Sequence, residues 1–309
     1  MPLRQFATQL AAKIEAVEGT KEVLALADAI LHKNLVFSPV IEQYARELLR
    51  GTLSRDMNLS GKRSARVAFD VELVGSGTAG VAPAWGPLMK ACGFSETIVA
   101  VTSVTYKPAT NSLSNSMTLG GYMDGMCKRL WGARGNVSLS IEAGRPGILH
   151  FDFEGADFEV IDLALLVPVY STVVPPVFLG ATLLLDAYAA IASKVDIDVA
   201  NTLAKRESLT ASSGHLSTLI TGRNPKGSLD PELPTVAIYD FYGKWKTPGT
   251  LGALSLSAGS VAGNIINISC PKVRYAAIAD QDRGGIRTLG IDFQACLNTG
   301  DDEISIALT

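Results

Sequence analysis

The chain has 309 residues, 27 lysines and arginines, 30 aspartates and glutamates, and a formal net charge of −3. Hydrophobic residues make up 47% and charged residues only 18%, with 29 glycines. This length allows one or two domains, and this hydrophobicity excludes an intrinsically disordered chain. Because lysine and arginine do not form runs, sequence-specific nucleic-acid binding is not expected. We predict a glycine-rich β protein that buries much of its surface.

The N-terminal region is predicted to be helical. Phe6, Leu10, Ile14 and Val17 recur every three or four residues, which favours an amphipathic helix over residues 3–18. Residues 21–32 are compatible with helix as well. Charged residues interrupt the N-terminal stretch, so we expect no signal peptide. The most apolar segment, residues 160–192, contains two aspartates and three prolines, so we expect no transmembrane helix.

Beyond residue 33 the pattern becomes that of a β protein. Glycine-rich segments such as residues 75–80 separate the predicted strands. Residues Trp85–Gly93, with Pro87 near the start and a glycine at the end, predict one short helix. Apolar and polar residues alternate, as in half-buried strands, in four segments: Arg66–Leu73, Val137–Ile141, Leu149–Phe153 and Asn264–Ser269.

The two halves of the chain share an order of features, of which the first are offset by about 160 residues. Residues Phe69–Leu73 correspond to Ser228–Leu233, and each is followed by a short helix, the second at Asp240–Trp245. A hairpin ending in Phe151–Phe153 corresponds to one ending in Ile291–Phe293. We predict an internal repeat of strand pair, helix and strand pair. The alternative, that any two β domains share such features, stays open.

These patterns divide the chain into four predicted parts. Residues 1–33 form an N-terminal arm, residues 34–155 a first β domain and residues 179–309 a second. Residues 156–178 form a linker, because their three prolines stiffen the chain and disfavour a central strand. The predicted fold class is mainly β, with two similar sandwich or barrel domains, a short helix flanking each, and a helical N-terminal arm.

Nothing in the sequence predicts catalysis or metal binding. Residues 75–80 (GSGTAG) lack the spacing of phosphate-binding and dinucleotide-binding loops. His32, His150 and His215 are far apart and outside any metal-ligand spacing. We interpret Asp301–Glu303 as a solvated turn rather than a calcium site, and no serine lies in a G-x-S-x-G elbow. We predict a protein that is not an enzyme, with no catalytic, cofactor-binding or metal-binding residue and no cofactor.

Cysteines and basic clusters also lack a functional pattern. We predict that the cysteines are buried free thiols, as in a reducing compartment. The basic clusters Lys62–Arg66 and Lys128–Arg134 are too small to bind nucleic acid electrostatically, and we expect them to pair with carboxylates across a subunit interface. Four cysteines are spread along the chain outside any C-x-x-C pair: Cys92, Cys127, Cys270 and Cys296.

Taken in order, several segments resemble the two-repeat family of major tail tube proteins of long-tailed bacteriophages. No single segment is specific, but their order is, and the resemblance covers residues 12–309. Residues 156–192 depart from the family pattern because they are more apolar. The segments include Gly61–Arg63, Ala82–Leu88, Gly132–Val137, Gly222–Ser228, Thr250–Leu256 and Gly300–Glu303.

This resemblance implies a structural subunit of stacked rings that form a hollow conduit for viral DNA. A chain with two tube domains implies a homotrimeric ring with pseudo-six-fold symmetry, in which inner strands join into a closed barrel without unpaired edges. The implied partners are other copies of the chain and the tail tip, tape measure and tail terminator proteins. DNA is only non-specific passing cargo, and no membrane partner is implied. The implied location is the virion tail, after assembly in the host cytoplasm.

The lumen wall is expected to be net negative, because each cation on it would add salt-dependent retention of phosphate. Two other functions stay open. The inner tube of a tail-derived injection machine would share the architecture, and a sheath partner would identify it. A β-sandwich hydrolase or glycan-binding module predicts a deep pocket or an exposed aromatic strip, and the three tryptophans and the lack of paired catalytic residues argue against it.

Overall fold

A computed structural model describes residues 8–112 and 115–309 of the chain. It is 54% strand and 6% helix, so the prediction of a mainly β protein is confirmed. Its α-helices are α1 (Gly86–Ala91) and α2 (Phe241–Lys246). The strands are β1 (Thr8–Ile14), β2 (Ala29–Ile30), β3 (Lys33–Tyr44), β4 (Leu59–Glu72), β5 (Phe94–Val99), β6 (Ser103–Pro108), β7 (Met117–Met123), β8 (Met126–Glu142), β9 (Ile148–Gly155), β10 (Asp157–Asp162), β11 (Thr182–Leu185), β12 (Tyr188–Ala189), β13 (Ala192–Asp198), β14 (Asn201–Glu207), β15 (His215–Arg223), β16 (Lys226–Pro231), β17 (Gly252–Ala258), β18 (Ile266–Arg283), β19 (Ile286–Ala295) and β20 (Ser305–Leu308).

The predicted N-terminal helical arm is wrong for the residues that the structure describes. Residues 8–14 form β1, which pairs antiparallel with β7 along its whole length. Leu10 and Ala11 are fully buried there, and a buried strand must pair its backbone groups with a neighbour. Tertiary pairing therefore overrides the helical spacing of the apolar residues. Residues 3–7 of the predicted helix lie outside the described residues, and residues 21–32 contain only a 3-10 turn and β2.

The predicted strands and short helices are confirmed to within one or two residues at their ends. The four alternating segments correspond to β4, β8, β9 and β18, and the two predicted short helices to α1 and α2. Pro87 lies in the first turn of α1, and Gly93 follows its end with a φ of +83°, as is common after a helix. Asp240 caps α2 by accepting a hydrogen bond from the backbone N–H of Gly243 at 2.7 Å.

Eight strands form one continuous antiparallel run in the order β3, β4, β9, β8, β13, β16, β19, β18. The first four belong to the first half of the chain and the last four to the second half. Within each half the order is the same: β13, β16, β19 and β18 occupy the places of β3, β4, β9 and β8. The repeated order in the sequence thus has a counterpart in the strand order. The domain limits proposed from the sequence stay predictions.

Apart from β14 and β15, which form a separate two-stranded sheet, the remaining strands form a second layer behind this run. The first part of β8 pairs with β7 and β10, and the first part of β18 pairs with β17 and β20. The hairpin of β5 and β6 pairs with β20 and so connects the halves a second time. Between the layers lies an apolar core that includes Trp85, Phe69 and Phe153, each fully buried.

The segment that follows β10 connects the two halves along the surface. Residues 163–176 contain no strand or helix. The side chain of Asn264 donates to the carbonyl of Val174 at 2.9 Å and accepts from the N–H of Gly75 at 2.7 Å. Gly75 must be a glycine because a Cβ there would lie 2.0 Å from the carbonyl oxygen of Gly263. These contacts hold the connecting segment and the glycine-rich loop to the second half.

Candidate assembly surface

One face of the eight-strand run is polar and open. Side chains alternate along each strand, so that Leu139 and Ile141 of β8 are buried while Ser138 and Ser140 between them are partly exposed. The polar side chains of neighbouring strands meet on this face: Ser140 donates to Asp196 at 2.6 Å. Where the two halves join, the face is concave and forms a shallow cavity of about 750 Å³.

Carboxylates outnumber cations on this open face. Several cations are held in ion pairs there, as in Lys33–Glu72 at 2.5 Å and Lys194–Asp196 at 2.7 Å. Arg66 likewise pairs with Asp152. The face is therefore net negative. Its carboxylates are Asp70, Glu72, Glu142, Asp152, Glu154, Asp196, Asp198, Asp230 and Asp292, and its cations are Lys33, Arg66, Lys194, Lys226, Arg274 and Arg283.

Within the eight-strand run, the two halves meet in an edge-to-edge strand pair. β8 pairs with β13 so that Ser138 lies opposite Asp198 and Ser140 opposite Asp196. Within the described residues, the corresponding edges at the two ends of the run have no partner strand. β3 pairs with β4 alone, and residues 277–283 of β18 pair with β19 alone. Long open edges of this kind are sites where another chain can pair.

The hairpin of β3 and β4 ends in a large exposed loop. Leu49 and Leu53 in this loop are 103% and 106% exposed. In the second half, β13 and β16 are connected through the hairpin of β14 and β15, whose loop has only seven residues, from 208 to 214. The two hairpins are in contact, as Lys62 pairs with Glu207 at 2.6 Å. The two halves thus share a strand order but differ in the length of this exposed loop.

The three histidines do not come together. His32 is half-buried and His215 is buried, and burial lowers the pKa of both rings. Lys205 adds to the lowering at His215. His150 lies on the open face, where it contacts Asp70. None of them faces a second histidine or a cysteine in a ligand arrangement, and over residues 8–112 and 115–309 no cluster of histidine, cysteine and carboxylate side chains is suited to hold a metal ion.

The acidic turn predicted from residues 301–303 has a structural role. Asp302 accepts hydrogen bonds from the backbone N–H groups of Asn298, Thr299 and Gly300. Desolvation acts to raise the pKa of Asp302, but these hydrogen bonds outweigh it and hold the pKa well below its usual value. The side chain of Arg223 contacts the carboxylates on either side of Asp302. This arrangement closes the turn before β20.

Several residues of the basic clusters form ion pairs inside the chain. Arg63 binds Asp157 through two hydrogen bonds, at 2.6 and 3.0 Å. Arg134 is fully buried and donates to Glu18 at 2.8 Å. Three of the four free cysteines are buried, and burial raises the pKa of Cys270 to about 12. The side chains that the sequence analysis singled out therefore stabilise the fold.

Sequence reasoning missed a buried carboxylate near the N-terminus. Glu15 is 8% exposed. Its carboxylate accepts hydrogen bonds from the hydroxyls of Ser116 and Thr118 at 2.6 and 3.0 Å, and from the N–H groups of Gly19 and Gly132 at 2.8 and 2.7 Å. In sequence it resembles any surface glutamate. Its partners come from β7, β8 and a nearby turn, so no local pattern reveals it.

No protein-family model matches the chain, and no curated protein matches it in sequence. Among the described helices, none has the length and apolar character needed to cross a membrane. The structure itself offers three features on which a functional proposal can rest: the open edges, the polar face and the repeated strand order.

Proposed function

We propose that the chain is a structural, non-enzymatic subunit that closes into rings and stacks into a hollow tube, the tail tube of a long-tailed bacteriophage. The observation that carries this proposal is the β8–β13 pair. It joins two like four-strand units, and it leaves at the ends of the run one free edge of each kind. A second copy offers the missing edge, and repeated head-to-tail pairing closes a ring when the rotation allows it.

The pair within the chain predicts the register between chains. Ser228 and Ala68 hold equivalent places, opposite Asp292 and Asp152 respectively. On the neighbouring strands, Val36 of β3 lies opposite Ala68 and Asp196 of β13 lies opposite Ser228, so Val36 and Asp196 are equivalent as well.

By the same comparison, Ser38 of β3 is equivalent to Asp198 of β13. At the other edge of the run, Ala279 of β18 is equivalent to Ser138 of β8. Ala279 of one copy is therefore expected opposite Ser38 of the next, as Ser138 lies opposite Asp198 within the chain.

Geometry favours three copies in a ring. Eight strands per copy give about 24 strands, and at about 4.8 Å between strands and a tilt of about 40° they close a cylinder roughly 48 Å across. A side-chain layer of about 5 Å, half the spacing of packed sheets, leaves a lumen of roughly 38 Å. Two copies would leave roughly 22 Å by the same estimate, too narrow for a double helix with its water.

The charge of the open face suits a conduit. In such a ring this face lines the lumen, because the opposite face is covered by the core. Ion pairing of cations such as Arg66 and Lys194 leaves little free positive charge to hold phosphates, and each phosphate contact would add salt-dependent retention. DNA would pass as non-specific cargo. The tail tip, tape measure and tail terminator proteins would be the partners, and the virion tail the location.

An engineered disulfide tests the ring. The double variant Ala279→Cys/Ser38→Cys, oxidised after assembly, is expected to yield covalent trimers on a non-reducing gel and rings by electron microscopy. In the matched control Ala279→Cys/Gln43→Cys, the second cysteine lies farther along β3, outside the predicted register. Wild-type chain that stays monomeric at every concentration and with added tail tip complexes would refute the proposal. Rings that form without the crosslink would refute the register alone.

A further inference from the structure

The two halves differ in the layer behind the polar run. In the first half, the hairpin of β5 and β6 covers α1: Tyr106 packs on Trp85 with ring centroids 5.0 Å apart, and Lys90 pairs with Glu96 at 2.5 Å. The same hairpin pairs with β20 of the second half. In the second half only five residues, 247–251, separate α2 from β17. No hairpin is available there to cover α2.

The uncovered helix and the turn before it expose apolar side chains. We call Val236, Ile238, Tyr242 and Trp245 the α2 patch; they are 68%, 64%, 38% and 39% exposed. The equivalent helix α1 buries Leu88 and Met89 completely. Because large apolar side chains gathered on one surface favour a partner over water, this difference between the repeats calls for a covering element.

The first half of the chain also has an uncovered apolar surface, which lies along β3 and β10. β10 lies behind β3, and Phe37 of β3 contacts Phe158 of β10 with ring centroids 6.2 Å apart. On either side of this contact, Ile41 of β3 is 46% and Val160 of β10 49% exposed. We call the exposed surface along these two strands the β3–β10 opening. In the second half β20 takes the place of β10, and β6 lies along its edge. The described residues of the first half provide no such strand beside β10.

We propose that the α2 patch of one copy packs into the β3–β10 opening of the next copy, where it takes the place of the β5–β6 hairpin. This inference rests on the proposed ring. Trp245 donates to the carbonyl of Ala276 at 3.2 Å, and Tyr242 donates to Asp280 at 2.6 Å. α2 is therefore attached to β18, the strand whose free edge pairs with β3 of the next copy. Pairing of those two edges brings the α2 patch of one copy and the β3–β10 opening of the next copy to the same contact between copies.

The joints between copies are therefore unlike the joints within a chain. Within the chain, both layers are joined through backbone hydrogen bonds, by β8–β13 and by β6–β20. Between chains the inner layer is joined by strand pairing, and the outer layer by apolar side chains. The occupant of the α2 patch is thus a second copy of this chain, and its contact residues include Ile41 and Val160.

Charge substitution on the two surfaces tests this inference. Ile41→Glu and Trp245→Lys are each expected to reduce the fraction of chain in rings at least tenfold, measured by sedimentation velocity. The double variant Ile41→Glu/Trp245→Lys is expected to recover most of that loss because the opposite charges pair. Ile98→Glu is the matched control, since Ile98 is 51% exposed on β5 and lies away from the joint between copies. Circular dichroism checks that each variant folds.

Val236→Lys provides a second variant that leaves the hydrogen bonds of α2 intact, and it is expected to reduce ring formation as well. Ring formation by Ile41→Glu and Val236→Lys at the wild-type level would overturn the inference while leaving the proposed function standing. Loss of rings in Ile98→Glu to the same extent would also overturn it, because the effect would not be specific to this joint. A wild-type chain that never forms rings would instead refute the proposed function.

Discussion

Replacing Glu15 by alanine is expected to destabilise the chain severely. The substitution removes the acceptor of four hydrogen bonds, three of them from donors that are themselves buried: the hydroxyls of Ser116 and Thr118 and the N–H of Gly132. A buried donor left without a partner costs about 1–3 kcal/mol. The three buried donors therefore predict a loss of about 3–9 kcal/mol in the free energy of unfolding, a large part of the roughly 5–15 kcal/mol that a domain possesses.

Urea denaturation of the unassembled subunit measures this loss. Glu15→Gln is expected to lose less stability because the amide keeps one acceptor oxygen, although its NH₂ group faces donors. Glu22→Ala is the control from the same segment: Glu22 pairs with Lys13 at 2.9 Å at the surface, where ion pairs contribute little. A loss below about 1 kcal/mol for Glu15→Ala would refute the reasoning, since water would then satisfy the orphaned donors.

Three further predictions follow from side chains outside this network. Because burial lowers the pKa of His215 below 6.5, the unfolded chain binds the proton more readily, so stability should fall as the pH drops below about 6.5; His215→Phe should weaken that dependence in urea titrations at pH 7 and pH 5. Asn264→Ala removes the bridge between the connecting segment and the glycine loop, and should raise the rate of protease cleavage within residues 163–176 severalfold, whereas an unchanged rate would show that other contacts hold the segment. Ser138→Lys/Ser228→Lys on the open face should make assembled tubes retain DNA in a salt-dependent way, and retention by wild-type tubes at physiological salt would contradict the proposed lumen.

The sequence predicted the elements whose pattern is local. Alternation identified β4, β8 and β9, because each buries every second side chain against the core. Capping residues identified the short helices, since Pro87 and Gly93 act within one or two turns. The N-terminal region failed because β1 is defined by its partner β7, and a strand buried in this way can share the spacing of a helix.

The assembly surface was less accessible from sequence. The open edges depend on which strands lack a partner, and this is a property of the whole sheet rather than of any segment. The partners of the basic clusters inside the chain could not be predicted for a similar reason: Asp157, the partner of Arg63, is 94 residues away along the chain. The acidic excess of the open face is visible only after the strand register places the carboxylates side by side, because the net charge of the whole chain is only −3.

The pairing of β8 with β13 has a kinetic consequence. In a ring of three such chains, half of the joints between units form within a molecule, at an effective concentration set by the connecting segment rather than by the number of subunits in the cell. Ring formation then rises with about the third power of subunit concentration, where six separate units would require about the sixth power. A chain with two units can therefore assemble at expression levels at which single units would remain dispersed, and assembly becomes less sensitive to fluctuations in supply.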